Sequence, residues 1–179
     1  MSDYLNSIRI VIPTYNRVND LVECIQSLKA ARIQDNQIIV VDNCSQDDTE
    51  DRIKQFFPNI ILLTLENNLG AAIASNIGFD YILNHMPEAE YVLRLDSDTI
   101  VAPEIFNQLY KGSANSKNIG VFGPKIYFHE NPNQIWYAGA EANPWHFGAV
   151  NTHIKELDSP SNSQIRIVDY IWGAAMMIK

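Results

Sequence analysis

The chain has 179 residues, long enough for one domain with a substantial core, and its 46% hydrophobic, 10% aromatic and 19% charged residues are those of an ordinary globular protein. Fibrous, low-complexity and disordered classes are excluded. Thirteen Lys and Arg against 21 Asp and Glu leave a net charge of −8, which argues against a nucleic acid partner, because polyanions are held by a basic surface that displaces their counterions.

No run approaches the roughly 18 apolar residues of a spanning helix, and the start Met1-Ser2-Asp3-Tyr4 lacks the basic and apolar regions of an export signal. Two cysteines, Cys24 in a helical pattern and Cys44 in a loop, predict reduced thiols rather than a disulfide framework, and no Cys/His spacing suggests zinc. These features predict a cytoplasmic location with no transmembrane segment.

The first half alternates strand and helix. Residues 7–12 form a β-rich run closed by Pro13, after which Val18, Leu21, Val22, Ile25 and Leu28 fall at helical spacing. Residues 37–41 are nearly unbroken apolar, as suits a parallel strand buried on both faces. Ser45-Gln46-Asp47-Asp48 matches a capping box opening a helix through Ile53 and Phe56 as far as Pro58. A third strand is predicted at 60–65. After the polar turn at 66–70, a helix begins at Ala71 with Ile73, Ile77 and Tyr81 on one face and ends before Pro87.

The fourth strand is predicted at 91–95, and Pro103 occupies the first turn of a helix through Ile105, Phe106 and Leu109. Beyond Gly112 the chain turns irregular to about residue 165, with short strand candidates at 120–122 and 126–128. The expected organisation is a single domain over 1–179, with a regularly alternating half (1–112) and the start of an irregular, substrate-facing half (113–179). Strands alternating with helices predict an α/β fold with a mostly parallel, Rossmann-like sheet flanked by helices, and such sheets bind ligands at the carboxyl ends of their strands.

Four strand ends carry polar residues: Pro13-Thr14-Tyr15-Asn16-Arg17, Asp42-Asn43-Cys44-Ser45, Glu66-Asn67-Asn68-Leu69-Gly70 and Asp96-Ser97-Asp98. Asp96 and Asp98 are hard oxygen ligands of the kind that hold Mg²⁺ or Mn²⁺ beside a phosphate; the alternatives are a cap for Asp98 and a ribose hydroxyl partner for Asp96. Asp42 is either an Asx-turn or helix-capping residue or an acceptor for a nucleobase N–H. Tyr15 is either a core aromatic or a surface on which a base stacks. Arg17 either meets an anionic ligand or lies on the surface. Asn67, Asn68 and Gly70 precede a helix start whose free N–H groups favour phosphate. Asn76 either faces the same cleft or is an ordinary amide.

With these residues in hand, the chain resembles the family-2 nucleotide-sugar glycosyltransferases, inverting enzymes of the GT-A fold. The resemblance rests on Ile12-Pro13-Thr14-Tyr15-Asn16-Arg17, Val40-Val41-Asp42-Asn43-Cys44-Ser45, Asn68-Leu69-Gly70-Ala71-Ala72 with Ala74-Ser75-Asn76-Ile77-Gly78, and Arg94-Leu95-Asp96-Ser97-Asp98. Gly123-Pro124-Lys125-Ile126 and the segment Trp172 to Lys179 are similar to the rhamnosyltransferase-like branch of cell-surface polysaccharide assembly.

The resemblance implies that Pro13, Thr14, Tyr15 and Asp42 line a nucleoside pocket and that Asp96 and Asp98 form the metal and diphosphate motif. It implies a nucleoside-diphosphate sugar as the sugar donor, Mn²⁺ or Mg²⁺ as cofactor, a glycan or lipid-linked acceptor, and a peripheral association with the inner face of the membrane. The family's acidic catalytic motif is expected beyond Lys179, so the chain is expected to be a truncated portion of a longer transferase, weak or inactive in transfer. Glu130, Glu141 and Asp169 are the candidate substitutes for the base, and Trp136, Gly139, Trp145, His146 and Trp172 are candidates for the acceptor cleft.

Nucleotidyltransferases and dehydrogenases need a glycine-rich loop after the first strand, where this chain has Pro-Thr-Tyr-Asn-Arg. Phosphatases with an Asp-x-Asp nucleophile place it on the first strand rather than the fourth. A non-catalytic nucleotide-sugar-binding module stays open as the alternative function.

Overall fold

A computed structural model describes residues 3–114, 118–143, 145 and 148–179. Its elements, in chain order, are β1 (Ile8–Thr14), α1 (Val18–Ala30), β2 (Ile38–Asp42), α2 (Thr49–Phe56), β3 (Ile61–Thr64), α3 (Ala71–His85), β4 (Tyr91–Leu95), α4 (Ile105–Ala114), β5 (Val121–Phe122), β6 (Ile126–Tyr127), β7 (Ile135–Tyr137), β8 (Ala140–Asn143), β9 (Gly148–Asn151) and β10 (Ala175–Ile178). The main sheet has the order β3-β2-β1-β4-β10-β5. Pairing among β3, β2, β1 and β4 is parallel, and β10 runs antiparallel to both its neighbours. This is the mostly parallel α/β sheet expected from the sequence.

Alternation along the central strands sorts the core into two layers. Ile8, Ile10 and Ile12 of β1 pack with Leu21, Ile25 and Leu28 of α1, Ile53 of α2 and Phe106 and Leu109 of α4. Val11, Ile39 and Val41 pack with Ala74 and Ile82 of α3 on the other face. Burial pushes the Cys24 thiol up to about 12, so Cys24 behaves as a packing residue of the first layer.

Several local expectations are corrected. β1 continues through Pro13 to Thr14, which pairs with Asp42. Proline is tolerated there because the ladder with β4 ends at Val11, leaving the strand paired on one side only. The capping box at Ser45 does not form: α2 begins at Thr49, whose N–H is taken by Asp47 Oδ1 at 3.1 Å, while Ser45 Oγ accepts from Asn16 N at 2.9 Å. A non-local bond between two strand-end loops has claimed the hydroxyl that the local pattern assigned to the helix.

Pro103 lies in the turn before α4 rather than in its first turn. The buried face of α3 is Ala74, Ser75, Gly78 and Ile82, one residue round from the expected Ile73, Ile77 and Tyr81, and Ile73 is half exposed. Small residues bring α3 close to the sheet: a Cβ built on Gly78 would stand 2.5 Å from Val11 Cγ1 and 3.2 Å from Val41 Cγ2.

The irregular half contains more pairing than its sequence signals. β6 with β7 and β8 with β9 form two small antiparallel sheets, and β10 returns to the main sheet between β4 and β5. The expected boundary at 112/113 falls inside α4. Among the described residues, no helix is long and apolar enough to cross a membrane.

Candidate functional site

The carboxyl ends of β1, β2 and β4 and the start of α3 surround a cleft of about 380 Å³ lined by Pro13, Thr14, Tyr15, Arg17, Asn43, Asn68, Gly70, Ala71, Asp96, Ser97 and Asp98. Eight of the ten site residues expected from the sequence therefore share one cavity. Asp42 and Asn76 are not in its lining. Asp42 is buried at 2% exposure and its Oδ1 accepts from Ser45 N, three residues on, at 3.1 Å, so it shapes the loop behind the cleft. Asn76 is exposed on α3, outside the buried face.

The walls are cross-braced by an amide that the sequence did not single out. Asn43, buried at 4%, donates from Nδ2 to Asn68 Oδ1 at 2.8 Å and accepts at Oδ1 from Leu69 N at 2.8 Å, and its own N–H bonds Thr14 O at 2.9 Å. It ties three strand ends together. The signal was present as an Asn beside Asp42 at a strand end, but its partners are about 25 residues away in sequence and no local pattern names them. Asn43→Ala is expected to destabilise the fold by about 1–3 kcal/mol, read as a fall in melting temperature, because it leaves Leu69 N without its acceptor.

Asn68 Oδ1 also accepts from Gly70 N at 3.0 Å. Gly70 caps α3 with φ +84°, a backbone conformation that strongly favours glycine. The turn thus delivers the N-terminus of a 15-residue helix to the cleft, where its unpaired N–H groups and dipole favour negative charge.

On the opposite wall stand the two aspartates. Asp96 Oδ1 pairs with Arg94, whose side chain is only 12% exposed and also bonds Gly173 O and, at 3.4 Å, Ser75 Oγ. Asp96 N donates to Ala174 O at 2.9 Å, so Asp96 is fixed from both main chain and side chain. Asp98 Oδ2 lies 3.2 Å from Arg17 Nη1, which also meets Asp20 Oδ2 at 3.0 Å. Tyr15 is 44% exposed at the rim. Thr14 is 3% exposed and its hydroxyl has no hydrogen-bond partner, an unmet polar group in the lining of the cleft.

No group of three or more His, Cys, Asp or Glu is assembled among the described residues. Two carboxylates beside a phosphate-favouring helix terminus nevertheless fit Mg²⁺ or Mn²⁺, which take one or two carboxylates and complete their shell with phosphate oxygens and water.

The candidate bases are elsewhere. Glu130 lines a second depression that shares no residue with the cleft, Glu141 is exposed on β8, and Asp169 Oδ2 accepts from Ala142 N at 2.9 Å. Trp136 and Trp172 meet edge to face at 5.3 Å, and Trp172 also meets Tyr170 at 6.0 Å. Gly173 and Ala174, bonded to Arg94 and Asp96, join this aromatic cluster to the cleft. Gly139 follows β7 with φ +97°, Trp145 is exposed, and His146 lies outside the described residues.

The family model described as Glycosyl transferase family 2 matches residues 9–178. Among curated proteins, the glycosyltransferase GlyG of Streptococcus pneumoniae is 29% identical over 133 residues, covering 73% of this chain and 42% of its own length. The poly(ribitol-phosphate) beta-N-acetylglucosaminyltransferase TarP of Staphylococcus aureus is 27% identical over 143 residues, covering 75% and 42%. The chain thus spans less than half the length of these relatives.

The crystal structure of S. aureus TarS 1-349 in complex with UDP-GlcNAc superposes with a TM-score of 0.54 at 26% identity, covering 67% of this chain and 34% of that one. The mannosyltransferase PcManGT from Pyrobaculum calidifontis, in complex with GDP-Man and Mn²⁺, shares the fold with a TM-score of 0.54 at 20% identity, covering 68% and 36%. The parallel sheet flanked by helices is that of these GT-A neighbours.

Proposed function

The chain belongs to glycosyl transferase family 2, and from that membership we propose that it binds a nucleoside-diphosphate sugar in the strand-end cleft and serves its transfer, with inversion, to an acceptor hydroxyl. The observation that carries the reading is the cleft itself: an exposed aromatic, a buried unpaired hydroxyl, a helix N-terminus and two carboxylates line one cavity. In this reading Tyr15 stacks on the base, Thr14 bonds the nucleotide, and the α3 N-terminus with Asn68 and Gly70 faces the phosphates. Asp42 positions the loop of Ser45 behind the base, and Asn76 stays outside the contact.

Asp96 and Asp98 would hold Mn²⁺ or Mg²⁺. Such an ion neutralises charge developing on the departing nucleoside diphosphate. Arg94 keeps Asp96 oriented, and Asn43 keeps the Asn68 turn in place. The name of TarP, together with the teichoic acid poly(glycerol phosphate) polymerase of Staphylococcus epidermidis, 30% identical over 102 residues that cover 55% of this chain and 14% of that protein, supports a cell-surface polymer or glycolipid as the acceptor class. UDP-GlcNAc is the first sugar donor to test. In this reading a lipid-linked or glycan acceptor is met at the inner face of the membrane, with the protein as a peripheral partner there.

One observation favours a second reading, a sugar-donor-binding module without transfer. Asp96 and Asp98 are the two acids in the lining, both are paired with arginine, and none of Glu130, Glu141 and Asp169 lines the cleft. The 179-residue chain is accordingly expected to bind a nucleotide sugar and to transfer weakly or not at all. Sugar transfer from UDP-GlcNAc and GDP-mannose to a hydroxyl acceptor, set beside binding of the same compounds, distinguishes the two readings. A Tyr15→Ala variant is expected to bind nucleotide about tenfold more weakly, the loss of one base stack. Unchanged affinity in that variant would remove Tyr15 from the site.

A further inference from the structure

The two cleft aspartates are neutralised by arginines of different kinds. Arg94 is almost buried and anchored by Gly173 O and Ser75 Oγ as well as by Asp96, so it has no freedom to leave. Arg17 is 53% exposed, sits in the non-helical residue just before α1, and uses a single nitrogen, Nη1, for both Asp20 and Asp98, which are themselves about half exposed. Its Nη1 is held by two exposed ion pairs of the weakest sort, and the rest of its planar fork is available for a bidentate anion. The same guanidinium lines the cleft together with Gly70 and Ala71 at the α3 N-terminus.

We infer that Arg17 is an exchangeable counter-ion: it occupies Asp98 while the cleft is empty and passes to the diphosphate of the nucleotide when that arrives, which frees Asp98 for the divalent cation. The inference rests on the sugar-donor reading of the cleft and goes beyond it by assigning the coupling between the two ligands. A cation competing for Asp98 in the empty cleft meets a guanidinium 3.2 Å away. Diphosphate binding removes that competitor and adds its own oxygens to the ion's shell. Metal and diphosphate are therefore expected to bind with positive cooperativity, and each must strengthen the other by the same factor. A monophosphate, with less charge to draw Arg17 across, couples less. Asp20 works in the opposite sense, since it holds Arg17 from the helix side and so weakens its grip on Asp98.

The test uses Mn²⁺, followed by the loss of the free-ion paramagnetic resonance signal, with UDP and with inorganic pyrophosphate as base-independent probe. Wild type is compared with Arg17→Met and Asp20→Asn after their melting temperatures are checked. In the absence of any phosphate, Arg17→Met is expected to bind Mn²⁺ about fivefold more tightly than wild type, the scale of one exposed ion pair removed, and Asp20→Asn more weakly. Pyrophosphate tightens Mn²⁺ in wild type and does so much less in Arg17→Met.

If Arg17→Met binds Mn²⁺ alone no better than wild type, and pyrophosphate tightens both equally, the exchange is overturned while the sugar-donor site stands. If wild type binds neither Mn²⁺ nor UDP nor pyrophosphate, the exchange and the sugar-donor reading fall together.

Discussion

Replacing Asp98 with alanine is expected to weaken Mn²⁺-supported binding of a nucleoside diphosphate by at least about 100-fold, since losing even a supporting partner of a metal ligand costs 10–100-fold in affinity. The remaining carboxylate, Asp96, is pinned by Arg94 and by the bond from its N–H to Ala174 O, and cannot move to take over both roles. In EDTA the same variant should bind the diphosphate as well as wild type or slightly better, because Arg17 loses the partner that competes with phosphate. Calorimetric titration in both buffers checks this. A variant that is equally weakened with and without metal would show that Asp98 serves the fold rather than the ion.

A second large effect, on stability, is expected at Gly78, which does not line the cleft. A methyl group there would meet Val11 Cγ1 at 2.5 Å and Val41 Cγ2 at 3.2 Å. Both are stiff β-branched side chains buried at 0% exposure in the adjacent strands β1 and β2. Gly78→Ala gains helix propensity of about 1 kcal/mol but overpacks the interface, a change that costs about 1–3 kcal/mol. Its size depends on how far α3 can shift. A net destabilisation is expected, with melting temperature falling by about 2–4 °C per kcal/mol, and Gly78→Leu should fail to fold. Adding Val11→Ala to Gly78→Ala should recover part of the loss, and the double-mutant cycle reads the contact directly. An unchanged melting temperature in Gly78→Ala would mean that α3 seats elsewhere on the sheet.

These two positions show what could be read from the sequence and what could not. β1 and β2 are rich in Ile and Val and buried along their whole length, the trace that parallel strands covered on both faces leave, while β4, Tyr-Val-Leu-Arg-Leu, alternates buried and half-buried positions. Since ligands gather at the carboxyl ends of such strands, Thr14, Tyr15, Arg17 and Asp98 could be proposed together, and they share one cavity. The buried face of α3 is not legible in the sequence because its close approach depends on Ala74, Ser75 and Gly78, which carry no hydrophobic signal, while the half-exposed Ile73 does.

Bonds between distant segments leave no local trace. Ser45 has the local pattern of a helix cap, yet Asn16 N takes its hydroxyl. Asn43 joins three loops through partners that no window of sequence contains. β10 is four residues long, and what makes it a strand is its pairing with Leu95, Arg94, Leu93 and Val92 of β4 and with Phe122 and Val121 of β5. That pairing brings Gly173 and Ala174 against Arg94 and Asp96, so a segment some 80 residues downstream helps to hold the site's acid.

The most direct measurement is calorimetric titration of UDP, GDP and UDP-GlcNAc into the wild-type chain, in Mn²⁺ and again in EDTA. Saturable binding of at least one nucleotide, weakened about tenfold or more by removal of the metal, is the result expected of a cleft built to hold a nucleoside diphosphate through Asp96 and Asp98. Absence of binding by every nucleotide in both buffers, from a chain that melts cooperatively, would contradict it.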